Sequence, residues 1–203
     1  MLFFKKAITC ALALLAAPSI AALTPAQMVG NIQMLTQKSM ALQTPAKSIT
    51  ILNGPLIVVG LGPFPQIIAG FTEIVTITTT AIAQMQGSAV ITNPTDAKNI
   101  ADAFRNFVKV HQALLNILIG KAGLFNTVPI IGAPVAAVLR QLENIVDTVA
   151  FGLIDLVEVA VHKAAMQSDA TSLSGSITIT INAYQGLIPL KKRHARDFMA
   201  IGA

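Results

Sequence analysis

The sequence predicts an all-α protein, a helical bundle of about five helices of which two are long. Apolar residues recur along most of the chain at the three- and four-residue spacing of one helix face, and Pro, Gly and Asn separate these stretches. Of the 203 residues, 54% are hydrophobic and 11% are charged. This composition is typical of a chain that buries a core, and it excludes an intrinsically disordered protein.

The start of the chain has the pattern of a secretory signal peptide. Lys5 and Lys6 precede an apolar run from Ala7 to Ala17, and small residues follow that run. A charged start, a short apolar stretch and a small-residue exit are typical of a cleaved export signal, and this stretch is too short to span a bilayer. We therefore predict secretion. The predicted divisions are a signal peptide at 1–22, a helical bundle domain at 23–190 and a basic C-terminal tail at 191–203.

The first predicted helix begins at a capping box. Thr24 is the N-cap, Pro25 takes the first helical position, and Gln27 follows three residues after the cap. An apolar stripe continues the helix to about Gln43. We expect Pro45 to end or kink this helix, because proline removes a backbone hydrogen bond.

A short helical piece and a second helix are predicted next. Between Ser48 and Pro65 the residues are apolar on all sides and Gly and Pro surround them, so we expect a short buried helical piece and then a loop at 60–65. From Gln66 to Met85 the apolar residues return to helical spacing. The threonines at 76–80 are unfavourable in a helix by propensity, but the periodicity is the stronger argument.

The second half of the chain contains the two long predicted helices. Asn93-Pro94 interrupts the chain, and the first long helix runs from about Asp96 to Ile119, where we expect Gly120 to stop it. The second long helix runs from near Pro134 to near Ser168. From Ser174 to Leu187 the isoleucines fit either a strand or a helix, and we predict a helix because an isolated strand would have no partner.

The distribution of charge argues against a nucleic-acid-binding protein. Between residues 23 and 190 eight basic residues balance eight acidic ones, and the basic excess lies in the tail. A DNA- or RNA-binding face needs Lys and Arg clustered over a broad surface. The tail is interpreted as a solvated C terminus, with processing at Lys192-Arg193 as the alternative. The uncharged stretches contain Pro, Gly or many polar residues, so we predict no transmembrane span.

Recognisable catalytic and metal-binding patterns are missing from the sequence. The single cysteine, Cys10, lies in the predicted signal peptide, and the three histidines lack the spacing of metal ligands. No serine has the Gly-x-Ser-x-Gly setting of a hydrolase nucleophile. We therefore predict no enzymatic activity, no metal and no cofactor. A hydrolase using carboxylates among Asp147, Asp155 and Glu158 is the alternative, although their spacing more simply gives the solvated side of a helix.

A histidine falls on the apolar face of the first long helix. The simpler interpretation of His111 is a neutral core histidine with one buried partner. The functional interpretation is a polar group in an apolar cavity that binds the carboxylate of a lipid. The candidate lipid-binding residues are Phe71, Phe104, Phe107, His111, Leu114, Leu118, Leu142 and Ile145.

Two segments resemble a known protein family. The segments NGPLIVVGLGPFPQIIAGF at 53–71 and AFRNFVKVHQALLNILIGKAGLF at 103–125 are similar to the fungal hydrophobic surface binding protein A family, which includes cell-wall galactomannoproteins. The likeness extends over about residues 24–165. It implies a small helical protein that is extracellular or loosely associated with the cell wall and adsorbs to hydrophobic surfaces. It further implies that related members hold fatty acids between their helices. Some members are also expected to recruit a secreted esterase or cutinase to hydrophobic polymers.

Two mechanisms therefore compete. In the first, the long helices enclose an apolar slot for a long-chain fatty acid whose carboxylate lies near His111. In the second, a sparsely charged stretch, either 48–72 or 122–139, tilts onto wax or another hydrophobic surface. A structural cell-wall mannoprotein without a specific small-molecule ligand is the alternative to both.

Overall fold

The computed structural model describes residues 22–53, 55–125 and 131–185. Within these ranges the chain forms five α-helices and two short 3₁₀ helices, without a β-strand, so the predicted all-α bundle is confirmed. Most of the predicted signal peptide and the whole basic tail lie outside the described residues. The α-helices are α1 (Pro25–Lys47), α2 (Pro63–Met85), α3 (Pro94–Ala122), α4 (Gly132–Leu156) and α5 (Ala160–Gln185).

The five helices form a closed ring. Each helix packs mainly against two others, in the order α1, α3, α5, α4, α2 and back to α1. The apolar stripes predicted on α1 and α3 are buried in this arrangement, which gives the bundle one continuous core. The predicted capping box is also confirmed, because the Thr24 amide donates to Gln27 Oε1 at 2.9 Å and the Gln27 amide donates to Thr24 Oγ1 at 3.3 Å.

Backbone hydrogen bonds tie the connections at one end of the ring. The Ile91 amide donates to the Leu156 carbonyl at 2.7 Å, and the Glu158 amide donates to the Ile91 carbonyl at 3.1 Å. These two bonds form an isolated parallel bridge between Ile91 and Val157. The α2–α3 connection is thereby joined to the α4–α5 connection, and we call this the pinned end of the bundle.

The bridge explains why one predicted helix is wrong. The sequence predicts a single helix from Pro134 to Ser168, whereas α4 ends at Leu156 and α5 begins at Ala160. Val157 takes an extended conformation, with φ −86° and ψ 113°, in which it pairs with Ile91. Val161, which the apolar pattern of that single predicted helix places on its buried face, is 70% exposed. The helix predicted from Ser174 is confirmed as far as Gln185, and residues 186–187 lie outside the described part.

The α1–α2 connection lies at the opposite end and differs from its prediction. It contains a 3₁₀ helix at Pro55–Val59, but the expected burial is wrong, because Ile49 is the only one of its large apolar residues with described burial that is fully buried. Ile57 is partly buried against the core. Five of its apolar side chains are 40–89% exposed, and we call this cluster the apolar tip: Ile51, Leu52, Leu56, Val59 and Leu61.

Helix α2 begins earlier than predicted and lies close to α1. Gly62, with φ +84°, precedes the helix and takes a conformation that favours glycine. A side chain at Gly70 would overlap with Leu42 of α1, so the two helices approach closely at this point. By length and composition alone, α2 is the one helix of the described chain that could cross a membrane. In the bundle its Phe71 face is completely buried.

Candidate functional site

His111 lies inside the ring of helices. Its side chain is fully buried on α3, and its ring centroid is 5.3 Å from that of Phe107 on the same helix. The Phe71 ring of α2 is 6.0 Å away in an edge-on arrangement. Because α2 and α3 are not neighbours in the ring, a contact between them crosses the interior of the bundle. His111 therefore points inward, as the apolar face of α3 predicts.

One nitrogen of the imidazole is hydrogen-bonded and the other is not. His111 Nδ1 lies 2.8 Å from Ser39 Oγ on α1, and this bond is buried. His111 Nε2 is also buried and has no hydrogen-bond partner among the residues that the structure describes. The histidine thus has the one buried partner that the simpler interpretation expects, and it also retains one free polar atom. Buried polar atoms without a partner are uncommon in folded proteins.

Burial also keeps this imidazole neutral. Loss of solvent lowers the pKa of His111 from 6.5 to about 4, and no neighbouring charge contributes to the shift. If Ser39 donates to Nδ1, then Nε2 carries the proton and is a donor. If Nδ1–H donates to Ser39, then Nε2 is an acceptor. In either tautomer the site presents one unused hydrogen-bonding position to the interior.

The other predicted site residues, apart from Ile145, belong to the single apolar core of the bundle. Phe104 packs against Phe107, with ring centroids 6.4 Å apart. Leu142 of α4 belongs to this core as well. Ile145 is only half-buried, whereas the remaining predicted residues are fully buried, namely Phe71, Phe104, Phe107, His111, Leu114, Leu118 and Leu142.

Ser39 is the residue that sequence reasoning missed. It lies on the same stripe of α1 as Leu35 and Leu42, so its position in an apolar pattern was a usable signal. A second buried polar group, the Tyr184 hydroxyl of α5, donates to the Leu118 carbonyl at 3.0 Å. Burial raises the pKa of this hydroxyl. Tyr184 is therefore satisfied within the core, unlike His111.

The threonines of α2 use their hydroxyls within their own helix. The hydroxyl of Thr78, which is buried, donates to the Ile74 carbonyl at 2.7 Å. Thr76, Thr79 and Thr80 are exposed and make the same bond to the carbonyl four residues earlier. Such bonds engage the hydroxyl protons, which are then not available to a ligand.

A small, partly open apolar cavity lies at the edge of the core, close to the pinned end. Residues of α1, α2 and α4 surround it, and its volume is about 20 Å³, room for about one water molecule. Its lining includes Met28 and Met85, whose unbranched side chains adapt readily to new packing. None of the predicted site residues lines this cavity. Elsewhere, no group of three His, Cys, Asp or Glu side chains in the described residues is arranged to hold a metal ion.

Comparison with known proteins gives a fold but no family. No family model matches the sequence, and no curated protein matches it. Among solved structures, AFMP4P in complex with palmitic acid matches with a TM-score of 0.61 and 15% identity, over 79% of this chain and 99% of that one. Ligand-binding domain 2 of the Penicillium marneffei MP1 protein, complexed with multiple arachidonic acids, matches with a TM-score of 0.63 and 13% identity, over 79% and 94% of the two chains.

Ligand-binding domain 1 of the same MP1 protein, complexed with arachidonic acids, has a TM-score of 0.59 and 14% identity, over 77% of this chain and 98% of that one. The TM-scores show a related fold, and at sequence identities this low they show the fold alone, so the resemblance to the hydrophobic surface binding protein A family stays a prediction. This chain thus has a helical fold related to that of fungal proteins solved with fatty acids bound.

Proposed function

We propose that this protein binds a long-chain fatty acid inside the ring of helices, with the carboxyl group at His111 Nε2. The observation that carries the proposal is that this buried nitrogen has no partner among the described residues. An unsatisfied buried polar atom costs about 1–3 kcal/mol, and a ligand oxygen would remove that cost. The fatty acids bound in the structurally similar proteins support this ligand class.

The neutral imidazole suits a carboxyl group in either of its protonation states. With Ser39 donating to Nδ1, the Nε2–H group donates to a carboxylate oxygen. With the other tautomer, Nε2 accepts the proton of a carboxylic acid. Ser39 is a positioning residue in both cases, because its bond to Nδ1 fixes the ring and sets the role of Nε2.

The alkyl chain supplies most of the binding free energy in this proposal. Each buried CH₂ group contributes about 0.8 kcal/mol, so a chain of palmitate length has ample energy to offset some loss of packing between helices. The cavity beside Met28 is far smaller than such a chain. Binding therefore requires the helices to move apart.

A binding measurement on matched variants tests the carboxyl site. Palmitate is titrated into delipidated protein by calorimetry, and native mass spectrometry counts the bound molecules. We expect His111→Leu and Ser39→Ala to weaken binding, His111→Leu by about tenfold or more, since a hydrogen bond to a charged group is lost. The control is His162→Gln on α5, which should bind like the unchanged protein. Unchanged affinity in both His111→Leu and Ser39→Ala would refute the site.

Adsorption to hydrophobic surfaces is the second candidate function, and the apolar tip favours it. Leu52 is 89% exposed and Val59 is 67% exposed, within a stretch that has no acidic residue before Glu73. Clusters of exposed apolar side chains commonly mark interaction surfaces. Of the two stretches predicted for this role, 48–72 is favoured, because the large apolar residues described at 131–139 are buried.

We further propose that the protein is secreted and acts by binding rather than by catalysis. The predicted signal peptide supports secretion, and N-terminal sequencing of protein from a secreting host should begin near residue 23. Loose association with a cell wall and recruitment of a secreted esterase or cutinase follow from the family resemblance alone. A structural wall protein without a ligand remains the alternative, and it predicts no palmitate binding in the titration above.

A further inference from the structure

A second potential binding site lies on the outside of the bundle, in a groove between α4 and α5. Its volume is about 710 Å³, within the range of small-molecule sites in proteins. Phe151 of α4 and Ile179 of α5 line it and are 63% and 59% exposed. Two large apolar side chains facing solvent beside one groove are an unusual surface feature. His111 is not part of this lining.

The groove also contains a carboxyl group without a partner. Asp147 lines it, is half-buried, and makes no hydrogen bond or ion pair with any residue that the structure describes. One turn earlier on α4, Glu143 accepts a hydrogen bond of 2.8 Å from the Thr178 hydroxyl. Burial and the charge of Glu143 raise the pKa of Asp147. Arg140 is the one basic residue of α4, and its guanidinium group contacts the side-chain amide of Gln185 rather than Asp147.

The charge and shape of the groove together define the ligand class. Two carboxyl groups on one face of α4 disfavour an anionic headgroup and favour a cation. The apolar wall extends from Asp147 past Phe151 to Ile154, and on α5 the lining runs from Gln167 to Ile179, about 18 Å of helix. The α5 wall also carries polar side chains, namely Gln167, Thr171, Ser174 and Thr178, so the apolar contact lies mainly along α4. An elongated groove with one apolar wall that begins at a carboxyl group matches a molecule with one alkyl chain and one positive end.

We propose that the α4–α5 groove binds an amphipathic amine, with the ammonium group at Asp147 and the alkyl chain along Phe151 and Ile154. The ammonium donates to the carboxylate, a bond that is stronger than one between neutral groups. This site is independent of the fatty-acid site, because the two share no described residue and select opposite headgroup charges. The protein would then hold two kinds of single-chain lipid in separate places.

Three ligands with the same chain test the headgroup preference. Dodecylamine, dodecanol and dodecanoic acid are each titrated by calorimetry at neutral pH into the His111→Leu variant, which removes the proposed carboxyl site. We expect dodecylamine to bind at least about tenfold more tightly than the other two. Absence of dodecylamine binding, or equal affinity for the three ligands, would overturn the proposal.

A pair of variants then locates the amine. We expect Asp147→Asn to weaken dodecylamine binding about tenfold and to leave dodecanol binding unchanged. Asp155→Asn is the matched control, because Asp155 is an exposed carboxylate of the same helix that does not line the groove. Phe151→Ser should weaken all binding in the groove whatever the headgroup. Equal dodecylamine affinity in Asp147→Asn and Asp155→Asn would refute the role of Asp147, whatever becomes of the fatty-acid site.

Discussion

His111 and Ser39 are joined by a buried hydrogen bond of 2.8 Å between α3 and α1. The bond leaves the second imidazole nitrogen without a partner among the described residues. A core histidine that only filled space could be replaced by an apolar residue at little cost. Ser39 holds the His111 ring in one orientation, and a side chain that only fills space would not need such a partner. The bond to Ser39 therefore suggests a role for His111 beyond packing.

The stability of the unchanged protein should fall in mild acid because of His111. Its pKa is about 4 in the folded chain and 6.5 in the unfolded chain, so the unfolded state takes up the proton first. The contribution of the neutral His111 to the free energy of unfolding is fully present above pH 6.5. It is lost as the pH falls towards 4, and the loss over that range is about 3 kcal/mol.

Urea denaturation at a series of pH values checks this prediction. The His111→Leu variant lacks the titrating group, so its free energy of unfolding should change less between pH 7 and pH 4.5 than that of the unchanged protein. The difference between the two curves isolates His111 from the carboxyl groups that both proteins retain. If the free energy of unfolding depended on pH in the same way in both proteins, the burial of the His111 side chain would be contradicted.

Binding of palmitate should raise the pKa of His111. The free site contains no charge that offsets desolvation, whereas a bound carboxylate favours the positively charged imidazolium. NMR of the imidazole signals during a pH titration measures the change directly. His162 on α5 is the internal control, and its signals should be the same with and without palmitate. A His111 titration that palmitate does not alter would place the carboxyl group elsewhere.

Gly70→Ala should destabilise the bundle by about 1–3 kcal/mol, because the added methyl group overlaps with Leu42 where α1 and α2 approach closely. Gly30→Ala on α1 is the matched control, since a methyl group there meets open space and helix propensity favours alanine. Thermal denaturation compares the two variants. Adding Leu42→Ala to Gly70→Ala should recover part of the loss attributable to the overlap, and the absence of any such coupling would argue against it.

Replacing Leu52 and Leu61 by serine should reduce adsorption to hydrophobic beads without loss of stability. Both side chains are more than half exposed in the apolar tip, and exposed substitutions usually change stability by less than about 0.5 kcal/mol. Depletion of protein from solution measures adsorption. The control is Val161→Ser, which removes an exposed apolar side chain near the pinned end. Equal depletion by all variants would rule out the tip as the adsorbing surface.

The sequence predicts those features of the fold that local interactions determine. The capping box at Thr24 and the buried faces of α1 and α3 depend on residues a few positions apart, and these predictions are confirmed. The break at Val157 depends on pairing with Ile91, more than sixty residues away, so the local apolar pattern does not reveal it. The exposure of the apolar tip likewise depends on the packing of distant helices, which the local sequence pattern does not reveal.

In the candidate site, too, the sequence predicts what local interactions determine and does not predict what distant contacts determine. The inward direction of His111 follows from the apolar residues around it on α3, and the structure confirms that direction. Its pairing with Ser39 joins residues 72 positions apart and depends on how α1 packs against α3. A serine in the apolar stripe of α1 gives only a general indication that a buried polar partner exists.

The bridge between Ile91 and Val157 makes the two ends of the bundle mechanically unequal. Among the described residues, one end is closed by backbone hydrogen bonds between its two connections, whereas at the other a side-chain bond of 2.9 Å from Lys121 to the Ile49 carbonyl joins α3 to the α1–α2 connection. Helix separation should therefore be largest beside the apolar tip. A lipid leaving a wax or membrane would meet the tip before it reached the interior, so adsorption and internal binding would be successive steps of one transfer.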